Sequence, residues 1–319
     1  MGWEYEGLFD VIPSDSDLLE KYWTIEATAT RIGSMGYRTR TIKARTRLEA
    51  EVYPIFGRSM EETAKRVKLN LTRERQQQLN TKRSKRHLVL LMENNFCYEK
   101  DIHVTLTYAG REPTMDRCRK DVRNWLNRVK RQREKRGLDK VKYIYAIGHD
   151  RDQRIHVHCV MNGGIGRDEL ERMWGKGYAN TIRLQAQGGG LQGMANYLYR
   201  QNEKARDNGE RAGCHMWCAS RNLKKPKEHV SDTKLSNRKV KRAALNFGAA
   251  GKEIMEKTYP GYRIENWQVL FSDVVDGVYI RCVMRKEEQD GKAGSMQARP
   301  DICNGIGKAD RHAFCGIGN

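Results

Sequence analysis

Alternation of apolar and polar residues marks the middle of this chain. In DIHVTLTYAG (101–110), Ile102, Val104, Leu106 and Tyr108 fall on one face of a strand, with His103, Thr105 and Thr107 on the other. VKYIYAIG (141–148), RIHVHCVM (154–161) and YANTIRLQ (178–185) read as three more strands. Between them the apolar period lengthens to that of a helix. Met115, Cys118, Val122, Leu126 and Val129 form a stripe that Thr114 caps and Gly137 stops. RDELERMW (167–174) predicts a short helix, and LQGMANYLYRQNEK (191–204) an amphipathic one entered after Gly188, Gly189 and Gly190. The order strand, helix, strand, strand, helix, strand, helix predicts an α+β fold. Its antiparallel sheet, flanked by helices, is close to a ferredoxin-like arrangement.

Outside this stretch the pattern weakens. Residues 1–86 are polar and basic with few large apolar side chains, and predict a basic, mainly helical N-terminal arm. The main domain is expected over 87–286, ending in a hairpin at 267–284 that turns near Asp276 and Gly277. Residues 287–319 are Gly-rich and polar, and predict a mobile tail.

His156 and His158 give the third strand its chemistry. Strand alternation puts both on one face, about 7 Å apart along the backbone, where they can share one metal ion. On the helix at 191–204, Leu191, Met194, Ala195 and Leu198 form the packing stripe, and Tyr197 and Tyr199 emerge on opposite flanks of it. Arg200 shares the flank of Tyr197. A tyrosine needs a cation beside it, or a metal-polarised phosphate opposite it, to act as a nucleophile at neutral pH. Helix geometry alone leaves the choice between the two tyrosines open.

Charge supplies the partner. With 60 Lys and Arg against 40 Asp and Glu, the 319-residue chain carries a formal net charge of +20, which suits a polyanion. The outer face of the helix at 115–136 is crowded with basic residues. Arg119, Arg123 and Lys130 there, and Arg154 beside the histidines, are the expected DNA contacts. No run of 18 apolar residues occurs and the first residues lack the pattern of a signal peptide, so a soluble cytoplasmic protein without membrane contact is expected. Eight cysteines without a CxxC pair fit reduced thiols. GxxxxGK[ST] is absent, and GAAGK (248–252) is too short for a phosphate-binding loop.

Three motifs in order now resemble a known family. VTLTY (104–108), RIHVHCVMN (154–162) and ANYLYR (195–200) are similar to the motifs of the HUH endonucleases of the rolling-circle replication initiator type, as found in plasmids, phages and integrated elements. NNFCYEKD (94–101), RDELERMWGKGYANTIRLQ (167–185) and WCASRNLKKPK (217–227) extend the likeness over roughly residues 80–285.

The resemblance implies site-specific nicking and joining of single-stranded DNA or an origin hairpin. Tyr197 would be the nucleophile, His156 and His158 would hold Mg²⁺ or Mn²⁺, and a 5′-phosphotyrosine would be the intermediate. A host helicase and polymerase would do the unwinding and synthesis. Two positions depart from the family pattern. Arg200 stands where lysine is usual, and Gly148 where a glutamate often supplies a third ligand, which leaves His149, Asp150 or Asp152 as the expected substitutes. A single-tyrosine transposase or relaxase on the same fold, or a degenerate DNA-binding regulator, are the alternative readings.

Overall fold

The computed structural model describes residues 36–55, 72–98, 100–149, 154–185, 190–207, 216–245, 249–271 and 278–286. Its elements in chain order are β1 (Tyr37–Ala44), β2 (Arg47–Pro54), α1 (Arg73–Asn95), β3 (Ile102–Thr107), α2 (Met115–Lys135), β4 (Tyr143–His149), β5 (Ile155–Met161), α3 (Arg167–Trp174), β6 (Ala179–Arg183), α4 (Gln192–Asp207), β7 (Cys218–Ala219), β8 (Lys227–Ser231), α5 (Asn237–Leu245), α6 (Ala249–Thr258), β9 (Tyr262–Phe271) and β10 (Val278–Lys286). They build an α+β fold of two antiparallel five-stranded sheets and six described helices. The expected tail at 287–319 lies outside the described residues, as do Asp150, Asp152 and the turn at Asp276 and Gly277. Among the described residues no helix is long and apolar enough to cross a membrane.

The first sheet runs β6-β3-β5-β4-β7. Its leading segment β3-α2-β4-β5-α3-β6, with strand order β6-β3-β5-β4, is the ferredoxin-like βαββαβ arrangement expected from the alternation. Thr114 accepts a hydrogen bond from the Arg117 amide at 3.3 Å and starts α2, while Gly137, at a φ of 65°, lets the chain leave it. The stripe of α2, with Trp125 added to the expected residues, packs on Val104, Leu106, Val157, Cys159 and Met161. On the opposite face, Ile144, Ala146 and Val160 meet Leu88, Leu91 and Met92 of α1, Leu191 just before α4, and Ala195, Leu198 and Tyr199 of α4. That second face carries the histidines.

The second sheet, β8-β1-β2-β10-β9, corrects the reading of residues 37–54 as part of a helical arm. They form a hairpin, and the first described helix begins at Arg73. Leu48, Ala50 and Val52 alternate with Arg47, Glu49 and Glu51. The apolar set packs beneath Val240 and Ala243 of α5, Met255 of α6 and Tyr259 just after α6. The charged set, which resembles a solvated surface in sequence, is buried under α1.

Helix α1 is the shared layer between the sheets. Arg86 reaches away from the apolar face of α1 to pair with Glu49 and Glu51, each at 2.6 Å, while Leu90 packs on Ile42 and Ala44. Arg47 lies 2.9 Å from Glu49 and Arg281 3.9 Å from it. Burial pushes the Glu49 carboxyl up, but Arg86, Arg47 and Arg281 outweigh it and hold it at about 2. Two helical turns on from Arg86, buried Glu93 accepts from the Leu191 amide at 2.8 Å and pairs with Arg285 of β10 at 3.3 Å. One carboxylate thus fixes the start of α4 to both α1 and the second sheet.

Removing one partner of a buried charge network leaves the other uncompensated. Arg86→Met is therefore expected to lower stability by about 3 kcal/mol in urea unfolding. For Glu49, with an ordinary value of 4.5, the stabilisation is full above pH 4.5 and is lost as pH falls toward 2. The variant should accordingly show a flatter stability profile over that window than the parent chain.

Candidate active site

Register assembles three histidines from two strands. Thr107 lies across from His156, Thr105 from His158 and His103 from Val160, so His103, His156 and His158 share the face of the sheet that α4 covers. The rings of His103 and His158 stack with centroids 5.2 Å apart, and those of His156 and His158 meet edge-on at 4.7 Å. His158 is only 4% exposed.

Tyr197 descends on this cluster from α4. Its hydroxyl lies 3.1 Å from His158 Nε2, and its ring is edge-on to both His158 and His103. With Tyr197 donating to Nε2, His158 carries its proton on Nδ1, which lies 3.2 Å from both Thr105 Oγ1 and His103 Nε2. His103 Nδ1 is buried with no hydrogen-bond partner among the described residues. Burial lowers the His103 imidazole to about 4. Burial, with His103 and His156 alongside, lowers His158 to about 2. Both rings stay neutral at physiological pH, with a nitrogen lone pair at hand.

One turn further, Gln201 takes a position that sequence spacing did not reveal. Its Oε1 accepts a hydrogen bond from His156 Nε2 at 3.0 Å, while His156 Nδ1 lies 3.4 Å from the Arg154 carbonyl. Gly148 makes this approach possible. A Cβ at residue 148 would stand 2.8 Å from Gln201 Cβ and 2.9 Å from the Gln201 carbonyl oxygen. A glutamate there would collide with the helix that carries Tyr197, and the Gln201 amide fills that space instead.

Residues 101–205 match a family model described as Replication-associated protein ORF2/G2P. The match supports a replication-associated protein of the initiator type, with DNA as its partner. No curated protein and no solved structure matches the chain. The matched stretch spans β3 to α4 and so contains His103, His156, His158, Tyr197 and Gln201 together.

The other expected site residues are dispersed. Tyr199 is 1% exposed in the core between α1 and α4, with the Lys85 ammonium 4.9 Å above its ring, whereas Tyr197 is 41% exposed. Arg200 is exposed beyond Tyr197 on α4. His149 pairs with Ile155, so strand alternation places it on the face opposite His156 and His158, away from any ion they hold. The stripe of α2 packs against that same opposite face, so the sheet separates Arg119, Arg123 and Lys130 from the histidines. Arg119 pairs with Asp116 at 2.8 Å, and Lys130 lies 3.9 Å from Glu134. Arg154 is exposed just before β5.

Among the described residues no three His, Cys, Asp or Glu side chains could hold a metal ion by themselves. The donors that do converge are two imidazoles and one amide oxygen. The 3.0 Å between Gln201 Oε1 and His156 Nε2, spanned by a hydrogen bond in this structure, is also near the edge of an octahedron with bonds of about 2.1 Å, so the two atoms are spaced to share a divalent cation in place of that proton.

Gly→Ala in an ordinary strand is stabilising by about 0.5–1 kcal/mol. The close approach of α4 reverses that sign, and Gly148→Ala is expected to cost about 1–3 kcal/mol in urea unfolding as the helix is pushed away. A stabilised variant would mean that the helix does not depend on this contact.

Proposed function

We propose that this chain is a site-specific single-stranded DNA nicking and joining enzyme that starts rolling-circle replication. The observation that carries the reading is the hydroxyl of the exposed Tyr197, held 3.1 Å from His158 Nε2 within the stretch that matches the replication-associated family. Tyr199, its sequence rival, is packed in the core.

His156 Nε2, His158 Nε2 and Gln201 Oε1 would hold Mg²⁺ or Mn²⁺, the ion replacing the Tyr197 hydroxyl on His158 Nε2 and the proton between His156 and Gln201. Imidazole and amide donors suit Mn²⁺ at least as well as Mg²⁺. When bound, such an ion supplies polarisation of a nonbridging phosphate oxygen. Thr105 and His103 orient His158 by occupying its Nδ1, as outer hydrogen-bond partners do for metal-binding imidazoles.

In the proposed step the Tyr197 oxygen attacks phosphorus and the bond from phosphorus to the 3′ oxygen breaks. The phenolic proton leaves to solvent and the 3′ oxygen takes one up, so the products are a 5′-phosphotyrosine and a free 3′-OH. His158, lowered to about 2, is too weak a base to keep that proton at neutral pH. Arg200 cannot accept it either, and its guanidinium serves as a fixed positive charge near the phosphate. Joining is the reverse attack by a 3′-OH. The phosphodiester energy is conserved in the covalent link, so no nucleotide is needed for cleavage. Unwinding falls to a host helicase and extension of the 3′-OH to a host polymerase.

The test is mass spectrometry of the full chain after incubation, with Mn²⁺, with single-stranded oligonucleotides tiling the element that encodes it. An adduct on the Tyr197 peptide is expected, absent in Tyr197→Phe and retained in Tyr199→Phe. An adduct that maps to Tyr199, or that survives in Tyr197→Phe, overturns the assignment.

A further inference from the structure

Three of the four large hydrophobic residues exposed among the described residues, Tyr178, Ile182 and Tyr197, stand on one face of the first sheet. Scattered exposed apolar residues are ordinary, but a group of them beside a reactive centre is not. Register fixes their places. Ile182 lies across from His103 and Asn180 from Thr105, and the Thr107 amide donates to the Tyr178 carbonyl at 2.9 Å. Strand alternation therefore puts Tyr178, Asn180 and Ile182 on the histidine face, along the outer strand of the sheet. Tyr178 is 81% exposed and Ile182 48% exposed. Two strand spacings, about 10 Å, separate Tyr178 from His156.

We propose that this edge of β6 is a base-stacking platform: Tyr178 and Ile182 receive unpaired bases of a DNA single strand next to the phosphate at Tyr197, and Asn180 between them meets a base edge. The proposal rests on the nicking reading and adds how the strand is held. Stacking suits the site because Tyr178 offers an open ring face on a backbone pinned by β3. Only a base freed from a duplex can lie on it. The charge of the chain favours a polyanion over an apolar protein partner. Arg200, exposed on α4 beyond Tyr197, adds a cation for the backbone.

The experiment measures fluorescence anisotropy of the full chain with three labelled probes of equal length. One is an oligothymidylate, one a fully abasic strand that keeps the phosphates, and one a duplex. Tyr178→Ala should lower affinity for oligothymidylate about tenfold, with Tyr178→Phe close to the parent chain. Affinity for the abasic strand and the duplex should not change. A loss shared equally by thymidylate and abasic strands would make Tyr178 a structural or phosphate-contacting residue and overturn the proposal. So would unchanged thymidylate affinity in Tyr178→Ala, including the case in which the variant alters only self-association through the β6 edge. The two readings fail separately. A Tyr178 effect without any Tyr197 adduct leaves the platform and removes the nicking, whereas an adduct with no Tyr178 effect does the reverse.

Discussion

The missing side chain at residue 148 is the constraint on which the site depends. Because Gly148 presents no Cβ, α4 can bring its backbone within about 3 Å of where that atom would be. One turn of that helix then lies over the polar rows of β3 and β5. Gln201 lands against His156 and Tyr197 against His158, four residues apart as the helical repeat demands. The start of α4 is pinned by Glu93, which accepts from the Leu191 amide. Held at its start and again at Gln201, on either side of Tyr197, the helix has little freedom to lift its tyrosine away.

Burial does different work on the two sides of α1. Toward the first sheet it strips water from neutral imidazoles and keeps His103 and His158 uncharged. Toward the second sheet it encloses Glu49, which stays ionised because the guanidinium groups of Arg86, Arg47 and Arg281 surround it. A network of that kind adds little net stability over an apolar core, but its charges are paired in this alignment of helix and sheet and would be left uncompensated by a shift of α1. Since Arg86 and the apolar residues of α1 belong to one rigid helix, that alignment passes directly to the packing under α4. The sheet outside the matched stretch thus supports the site without contributing a side chain to it.

Much of this was legible in the sequence. Alternation and helical period located β3 through β6 and α2 through α4, and α3 spans the same residues, 167–174, as the pattern predicts. His156 and His158 share a face as alternation required. What escaped detection shares one cause: a polar position on a strand does not announce whether it faces water, an ion pair or a reactive centre. Glu49 and Arg47 therefore looked like solvated surface, and His103 like any polar residue of β3. His149 shows the sensitivity in reverse, since a single step along β4 reverses the face. Gln201 could not be found by counting along the sequence, because its role depends on how closely two distant segments approach. The glycine that looked like a lost ligand was the signal of that approach.

The central claim is that α4 completes a divalent-cation site with the two histidines, and it is tested most directly without any DNA. Titration of the full chain with Mn²⁺, following the electron paramagnetic resonance signal of the free ion, reads binding alone. The account predicts one ion bound per chain, binding abolished in His156→Ala or His158→Ala, and affinity about tenfold weaker in Gln201→Ala. Equal Mn²⁺ affinity in the parent chain and His156→Ala would contradict it.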